Sequence, residues 1–294
     1  MKGLIVTADD FGAAREVNDA VEIGHRRGIL TAASLMIGAP AAADAIARAR
    51  RLPTLRVGLH LVLVEGRPVL PPAAVSRLVR EDGWLRCDMA RVGALIAASR
   101  EARRQLAAEI TAQFAAFRDA GLTLDHCNAH KHFHLHPLVA RLLCEIGPRF
   151  GLRAVRLPLE PARVLRRVEP GTRSASGPLL KPWVLALRRR LRARGLLAPD
   201  QVFGLRWSGQ MTRSRLRALI RFLPAGLSEI YLHPACGPYA GGSPAYGYRE
   251  ELEALGAPEV IAACRDPALR LGGFADFPMA HAACEPAAAS ARAH

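Results

Sequence analysis

Short apolar runs alternate with longer amphipathic stretches along most of this 294-residue sequence. The runs GLIVTA, TAASLMIGA and RVGLHLVL predict buried strands, while AREVNDAVEIGHRRG, ended by Gly28, and AAADAIARARRL predict helices. The pattern continues with a helix around REARRQLAAEITAQFAAFRDAG, a strand at LTLDHCNAH, a helix opened by Pro137, and strands at AVRLP, EIYLHP and LGGFADF. Strands that recur between helices form parallel sheets, and this many repeats favours a (β/α) barrel over an open sheet.

The carboxyl ends of barrel strands carry the chemistry, and the unusual polar residues of this sequence fall there. Asp9 and Asp10 end the first predicted strand, His60 lies in GLHL, Arg156 lies in VRLP, and His233 follows EIYL. We therefore expect these residues to meet at one mouth of the barrel. Because adjacent carboxylates repel each other, the two aspartates are expected to face a cation.

A cluster of histidines follows the fourth predicted strand. Five of the ten histidines fall between His126 and His136, in DHCNAHKHFHLHP. Two geometries are open. At strand spacing one face would carry Asn128, His130, His132 and His134, whereas at helical spacing His130 and His134 would form a metal-binding pair. An isolated histidine such as His60 is more often a hydrogen-bonded core residue, but together with the aspartates and the cluster it indicates a metal site.

The residue types define the chemistry of such a site. Imidazole nitrogens with one carboxylate suit zinc and other first-row divalent ions, and three protein ligands leave a position for water. The ion lowers the pKa of that water towards about 7, and a carboxylate outside the ligand set can then take its proton. We expect one divalent ion per chain, with zinc as the first choice and Mg²⁺ or another first-row metal as alternatives. One aspartate of the pair would bind it, and its neighbour would act as the base.

The formal net charge is +15, which fits a nucleic-acid partner, an anionic membrane or an arginine-rich composition. Basic residues concentrate in a segment at about 160–200, which we predict to be an insertion in the barrel. There Trp183 and several leucines alternate with arginines such as Arg188, Arg189 and Arg190. This composition fits either an interfacial helix that contacts a membrane or a solvated helix whose apolar face packs on the core. We expect no nucleic-acid partner, because no binding motif is present and only 5% of the residues are aromatic.

The remaining features predict one barrel domain over residues 1–277 and a disordered, alanine-rich tail over 278–294. The amino terminus lacks a signal-peptide pattern, and no run of about 18 apolar residues predicts a membrane span. The six cysteines include no C-x-x-C pair, which favours a reduced cytoplasmic protein. We extend this localisation to peripheral contact with the inner membrane. The sequence does not indicate an oligomeric state.

The motifs TADDFG, VGLHLVL, NAHKHFHLHP, VRLP and EIYLHP resemble, in their order, those of the YdjC-like (ChbG) carbohydrate deacetylases, over residues 3 to about 277. The resemblance implies a distorted, seven-stranded (β/α) barrel of the polysaccharide-deacetylase type and hydrolysis of an N-acetyl group on an amino sugar. The stretches LDHCNAHKHFHLHP, FGLRWSGQMT and HPACGPY are most similar to the hopanoid-biosynthesis branch of the family (HpnK). That similarity implies a lipid-linked substrate, N-acetylglucosaminyl hopanoid. The alternative is a soluble N-acetylated oligosaccharide such as chitobiose.

By position, the resemblance implies Asp10, His60 and His130 as metal ligands and Asp9 as the catalytic base. Two further roles are weaker assignments. His233 is the candidate acid that protonates the leaving amine, and Arg156 is the candidate for positioning Asp9.

The sequence departs from the family pattern at one place. Many relatives have Asp-Ser-His where this chain has Asn128-Ala129-His130, so a carboxylate near the third ligand is missing. An acidic partner of the metal histidines would then be absent, or supplied by Asp125. We predict that Asn128, His132 and His134 support the metal ligands or contact the substrate.

One rival enzyme class is another metal-dependent barrel hydrolase or isomerase that acts on a phosphoester or a sugar. A two-metal phosphoesterase would need more carboxylates at the strand ends, and the sequence has no glycine-rich phosphate loop.

Overall fold

The computed structural model describes residues 2–175 and 177–277, apart from the side chains of Pro178 and Leu179. The predicted tail at 278–294 lies outside the described residues. The strands are β1 (Lys2–Phe11), β2 (Ala32–Leu35), β3 (Arg56–Leu61), β4 (Cys127–Ala129), β5 (Gln201–Phe203), β6 (Gly226–Leu232) and β7 (Leu269–Leu271). The α-helices are α1 (Arg15–Arg27), α2 (Ala42–Arg51), α3 (Met89–Ala98), α4 (Arg100–Asp119), α5 (Pro137–Ile146), α6 (Ala162–Val168), α7 (Gly177–Ala193), α8 (Arg213–Arg221), α9 (Tyr248–Gly256) and α10 (Pro258–Ala263).

The seven strands form one sheet in the order β4-β3-β2-β1-β6-β5, and β7 pairs with the first residues of β1. Every strand pair is parallel, as the alternation of strands and helices predicts. Between β4 and β5 the sheet is continued only by isolated contacts. Cys127 bridges to Val155, Ala154 bridges to Leu197, and the Val202 N–H donates to the Leu159 carbonyl at 3.0 Å. The sheet therefore curls into a distorted half-barrel, which confirms the predicted fold class.

The central strand, β1, shows why the strands of this protein are continuous apolar runs in the sequence. Its residues from Gly3 to Phe11 are all buried. A strand of a parallel sheet is covered on both faces, so apolar side chains are needed at successive positions and not at alternate ones.

Two predicted helix boundaries are confirmed. Helix α1 ends before Gly28, where an added Cβ would lie 2.5 Å from the Leu255 carbonyl oxygen, so the close approach of α9 requires glycine. Helix α5 begins at Pro137, and the preceding His136 accepts the Leu138 N–H with its Nδ1 at 3.3 Å. Proline suits this first position because its missing N–H would have no partner within the helix.

The histidine cluster does not continue β4. The strand ends at Ala129, and His130–Leu135 forms a 3₁₀ helix in which Lys131 and His132 have φ angles of 53° and 55°. The expectation that the cluster shares one strand face is therefore wrong, because two left-handed residues break the alternation. The predicted strand AVRLP is also reduced to isolated bridges at Ala154 and Val155.

The basic segment contributes α6 and α7. Val184, Leu187 and Leu191 are buried in the hydrophobic core, and the Trp183 indole N–H donates to the Leu135 carbonyl at 2.8 Å. Of the two interpretations left open, the apolar face therefore packs on the core, and an apolar insertion of these side chains into a membrane is excluded in this conformation. Arg189 is exposed. In the part of the chain that the structure describes, no helix combines the length and apolar character needed to cross a bilayer.

Candidate metal centre and active site

An irregularity in β1 brings Asp9 and Asp10 to the same cluster of polar side chains. Ala8 lies opposite Ala33 of β2, but Phe11 lies opposite Leu35, so β1 holds one extra residue over this interval. Asp10 takes up the distortion with a left-handed φ of 61°. Adjacent side chains of a regular strand point to opposite faces, and a bulge re-aims one of them. The bulge therefore lets two neighbouring carboxylates serve one site.

Asp10, His60 and His130 come together as the resemblance implied. One ligand atom from each lies within 4.8 Å of the others. Asp10 Oδ1 is 3.3 Å from His60 Nε2 and 3.4 Å from His130 Nδ1. This oxygen is buried, yet it accepts no hydrogen bond from the described residues. An unsatisfied carboxylate oxygen that faces two ring nitrogens fits a divalent cation, and the two-nitrogen, one-oxygen donor set is of the kind that holds catalytic zinc.

The orientation of His60 also suits a metal ligand. Its Nδ1–H donates to the Asn128 side-chain oxygen at 2.7 Å, which leaves Nε2 directed at Asp10. Metal-binding histidines commonly donate their second ring N–H in this way, which fixes the ring and its tautomer. Asn128 thus supports a candidate ligand.

The ionisation of the cluster shows that positive charge is stabilised there. Burial would raise the pKa of Asp10, but the close contacts of its carboxylate with the His130 and His60 rings outweigh it and hold that pKa well below its usual range. Burial would lower the pKa of His60, but the charge of Asp9 and the contact with Asp10 raise it instead.

Asp9 is held by a buried arginine, Arg156. The guanidinium contacts both carboxylate oxygens of Asp9, with Nη2 to Oδ1 at 2.9 Å, and Asn128 Nδ2 donates to Oδ1 at 3.1 Å. Burial would raise the pKa of Asp9, but the charge of Arg156 outweighs it and keeps that pKa far below its usual range. Asp9 is therefore ionised and fixed in orientation.

Glu229 is a residue of the site that the sequence reasoning missed. It is fully buried in β6 and accepts from Arg156 Nη2 at 2.7 Å and from Thr7 Oγ1 at 2.8 Å. Arg156 consequently lies between two carboxylates. The available signal was a single acidic residue inside the otherwise apolar strand SEIYL.

His233 follows β6 and lines the same cavity as Asp10. Its backbone N–H donates to Glu251 Oε2, while Glu251 Oε1 accepts the Met211 N–H at 2.8 Å. Its Nδ1 is buried without a hydrogen-bond partner among the described residues. Burial lowers the pKa of His233, and the charges of Asp10 and Asp9 oppose that shift.

The other histidines of the cluster do not join the candidate metal centre. His132 Nε2 lies 3.0 Å from the Tyr231 hydroxyl, and His134 Nε2 donates to the Arg156 carbonyl at 2.9 Å. Burial lowers the pKa of both rings, that of His134 to about 3. The alternative of a helical His130 and His134 metal pair is therefore wrong, because the segment is not α-helical and the group of ligand atoms around His130 does not include His134.

Asp125 is bonded to His126 and not to the metal histidines. Its Oδ2 is 2.9 Å from His126 Nδ1, and it also accepts the backbone N–H groups of Phe274 and Ala275. Of the two alternatives left open for the acidic partner of the metal histidines, direct contact of Asp125 with His60 or His130 is not observed among the described residues.

The cluster opens into a cavity of about 640 Å³. A tyrosine wall forms part of its lining and contains all four tyrosines of the sequence, Tyr231, Tyr239, Tyr246 and Tyr248, and the lining also includes Ser208 and Ser243. Tyr246 bonds Ser208 Oγ at 2.8 Å and packs over Gly209, where an added Cβ would lie 2.1 Å from the ring. The sequence reasoning missed this wall, although three of the four tyrosines crowd into residues 239–248.

A parallel half-barrel with an Asp-His-His centre and a second, arginine-bound aspartate defines a site that can activate water for hydrolysis. The family model of the YdjC-like proteins matches residues 3–266, and the chain belongs to this family.

Individual relatives agree with this assignment. The chain is 31% identical over 277 residues to a carbohydrate deacetylase from Geobacillus stearothermophilus, with 93% of this chain and 97% of the relative covered. It is 32% identical over 260 residues to a carbohydrate deacetylase from Mus musculus, with coverages of 81% and 80%. Among solved structures, a candidate cellobiose-phosphate cleavage protein from Enterococcus faecalis V583 has the same fold. Its TM-score is 0.75 at 21% identity, with 95% of this chain and 99% of that chain covered.

Proposed function

We propose that this protein is a metal-dependent carbohydrate deacetylase that removes the acetyl group from the nitrogen of an amino sugar. The observation that carries the proposal is the pair of adjacent aspartates with different surroundings. Asp10 faces two histidines with an unsatisfied oxygen, and Asp9 is held ionised by Arg156. The carbohydrate deacetylases among the relatives support the same activity.

A divalent ion at Asp10, His60 and His130 would polarise the amide carbonyl and lower the pKa of a water molecule. Hydrolysis joins the water oxygen to the acetyl carbon and breaks the carbon–nitrogen bond. One proton must leave the water, and one must reach the nitrogen. Asp9 accepts the first proton, with Arg156 and Asn128 holding its carboxylate in place. His233 donates the second, and the products are acetate and a free amine.

The tyrosine wall supports a sugar as the substrate. Aromatic rings pack against the C–H faces of apolar or amphipathic ligands, and their hydroxyl groups supply directed hydrogen bonds. Ser208 and Ser243 line the same cavity. One ring face and several hydroxyls suit a pyranose better than a phosphoester, which would require a concentration of positive charge.

For the substrate we propose N-acetylglucosaminyl hopanoid, with a soluble oligosaccharide such as chitobiose as the alternative. The three stretches that resemble the hopanoid branch all reach the cavity. LDHCNAHKHFHLHP contributes His130 and His132. FGLRWSGQMT contributes Leu205 and Ser208, and HPACGPY contributes His233 and Tyr239. The residues that carry the finer resemblance therefore lie where they would contact the sugar or its attachment.

Acetate release tests the activity. Metal-free protein, the same protein reloaded with Zn²⁺ or Mg²⁺, and the His60→Ala variant are each incubated with the hopanoid substrate in liposomes and with chitobiose. We expect release only from reloaded wild type, with faster turnover of the hopanoid. Elemental analysis should find one zinc per wild-type chain and none in His60→Ala. Equal metal content would remove His60 from the ligand set, and release of acetate by metal-free protein would contradict metal dependence.

Because such a lipid resides in a bilayer, we also propose that exposed arginines of α6 and α7 contact an anionic membrane surface. Each basic residue near such a surface contributes about 1 kcal/mol, and this attraction is screened by salt. Co-sedimentation with anionic liposomes should be lost in the Arg189→Glu, Arg190→Glu double variant, while hydrolysis of chitobiose persists. Arg188 and Arg192 are left unchanged because they bond Asp200 or its backbone oxygen. Undiminished binding by the double variant would contradict this role.

A further inference from the structure

A chain of buried hydrogen bonds runs from the candidate metal centre into the core, on the side away from the cavity. Asn128 Nδ2 is 3.1 Å from Ser34 Oγ, Ser34 Oγ is 3.0 Å from His126 Nε2, and His126 Nδ1 is 2.9 Å from Asp125 Oδ2. All four residues are buried, and none of them lines the cavity. They cannot touch a substrate there, so any effect on the reaction must pass through Asn128.

The donor and the acceptor of each hydrogen bond follow from Asp125, the last residue of this hydrogen-bonded series. Burial would raise the pKa of Asp125, but the bond with His126 and the backbone N–H groups of Ala275 and Phe274 outweigh it and lower that pKa. Asp125 is therefore an acceptor, and His126 Nδ1 donates to it. In the neutral His126 ring Nε2 is then an acceptor, so the Ser34 hydroxyl donates to it and its oxygen remains to accept from Asn128.

The Asn128 amide needs such a constraint, because its oxygen and nitrogen ends have nearly the same shape. In the observed orientation both N–H groups are used, one by Asp9 and one by Ser34, and the oxygen accepts from His60 Nδ1. A reversed amide would place its oxygen against the Asp9 carboxylate and an N–H against His60 Nδ1. His60 would then carry its proton on Nε2, the atom that faces Asp10.

We propose that Ser34 and His126 are positioning residues, which hold the Asn128 amide in the orientation that keeps the His60 proton on Nδ1. Ser34 is two hydrogen bonds away from His60, and His126 is three hydrogen bonds away. The inference deepens the proposed function, since it rests on His60 being a metal ligand, but the tautomer itself is a property of the metal-free protein.

Two serine variants provide a matched test. Ser34 and Ser228 are both fully buried in strands, β2 and β6, and the Ser228 hydroxyl has no hydrogen-bond partner among the described residues. Ser34→Ala and Ser228→Ala therefore remove the same atom from similar surroundings, and only the first removes a member of the chain.

The primary readout is the ¹⁵N spectrum of the histidine rings in metal-free protein, recorded above the pH at which His60 loses its second proton, with the His60 signals assigned by their loss in His60→Gln. We expect the Nδ1–H tautomer of His60 in wild type and Ser228→Ala, and a mixture of both tautomers in Ser34→Ala. Zinc affinity, measured by competition with a chelator, should fall about 10-fold in Ser34→Ala, as is typical when support of a metal ligand is lost. In Ser228→Ala it should change less than about twofold.

His126→Phe is the second variant, in case Ser34→Ala does not fold. It keeps a ring stacked on Phe274, whose centroid is 4.3 Å from that of His126, and removes both ring nitrogens. It should give the same mixture of tautomers. A pure Nδ1–H tautomer in either variant, or an equal loss of zinc affinity in both serine variants, would overturn the proposal. If wild type releases no acetate, the proposed function fails, while the tautomer measurement still decides this inference.

Discussion

The two walls of the cavity are built in different ways. On the strand side, Asp9, Asp10 and His60 lie at strand ends, are almost fully buried, and contact other buried polar side chains. On the loop side, Tyr239 and Tyr246 come from the segment between β6 and α9 and are only partly buried. Strands hold reacting groups in fixed geometry, whereas loops on a rigid scaffold can vary with the ligand. Under the proposed function, we therefore expect the reaction on the strand side and the choice of sugar on the loop side.

The largest effect should come from substituting the two aspartates one at a time. Asp9→Asn should lower kcat by about 10²–10⁴-fold, because a general base contributes that much, and should keep the metal. Asp10→Asn should lose the metal. Elemental analysis and acetate release on the same preparations measure both. Loss of metal from Asp9→Asn would mean that the two neighbours have exchanged roles.

His233 lies where the two walls meet, so a variant of this residue tests whether it takes part in the reaction or only binds the substrate. His233→Ala should lower turnover of an N-acetyl sugar by about 10²-fold, because an amine leaves poorly without a proton. An acetyl ester of a nitrophenol, which leaves without protonation, should be hydrolysed at nearly the wild-type rate. Equal losses on both substrates would instead make His233 a binding residue.

On the loop side, Tyr239→Leu should raise KM by about 5–10-fold and leave kcat nearly unchanged. The lost aromatic contact is worth about 1 kcal/mol in both the ground state and the transition state. Trp84→Leu, at an exposed aromatic residue that does not line the cavity, is the control and should leave both constants unchanged. A fall in kcat with constant KM in Tyr239→Leu would place Tyr239 in the reaction itself.

The smallest effect concerns acid stability, which should reside on the strand side. The pKa of His134 is about 3 in the folded state, below its ordinary value of 6.5, because burial disfavours the charged ring. Between those values the unfolded chain binds more protons, so this stabilising contribution is complete above pH 6.5 and is lost as the pH falls towards 3. His134→Gln should lower the slope of the unfolding free energy by about 1 kcal/mol per pH unit in this range. Urea unfolding at pH 4, 5 and 6 measures it, and an unchanged slope would contradict the neutral, buried state of His134.

The sequence predicted most of the strand side and little of the loop side. Strands such as LIVTADD and RVGLHL can be predicted because strands covered on both faces need continuous apolar residues. The polar residues at their ends are then easily distinguished from the apolar run. The bulge at Asp9 and Asp10 could not be predicted, because it depends on the register of β1 against β2. The left-handed turn at Lys131 and His132 was equally hidden, since neither is a glycine.

The loop side depends on contacts between distant parts of the chain. Ser208 meets Tyr246 across 38 residues, and no local pattern specifies that contact. Strand β5 was missed because its three residues, Gln201–Phe203, are too few to show a period.

The position of Arg156 between two carboxylates has a consequence for the charge balance of the interior. With Asp10 included, three buried carboxylates face one guanidinium, which leaves two formal negative charges in the interior. The formal net charge of the whole chain is nevertheless +15. A divalent cation would neutralise the negative charge of the interior, which otherwise acts on His60, where the charge of Asp9 and the contact with Asp10 raise the pKa of the ring. Cation uptake would therefore expel protons into the solvent and tighten the whole barrel mouth, so that the folding equilibrium and the occupancy of the centre are thermodynamically linked.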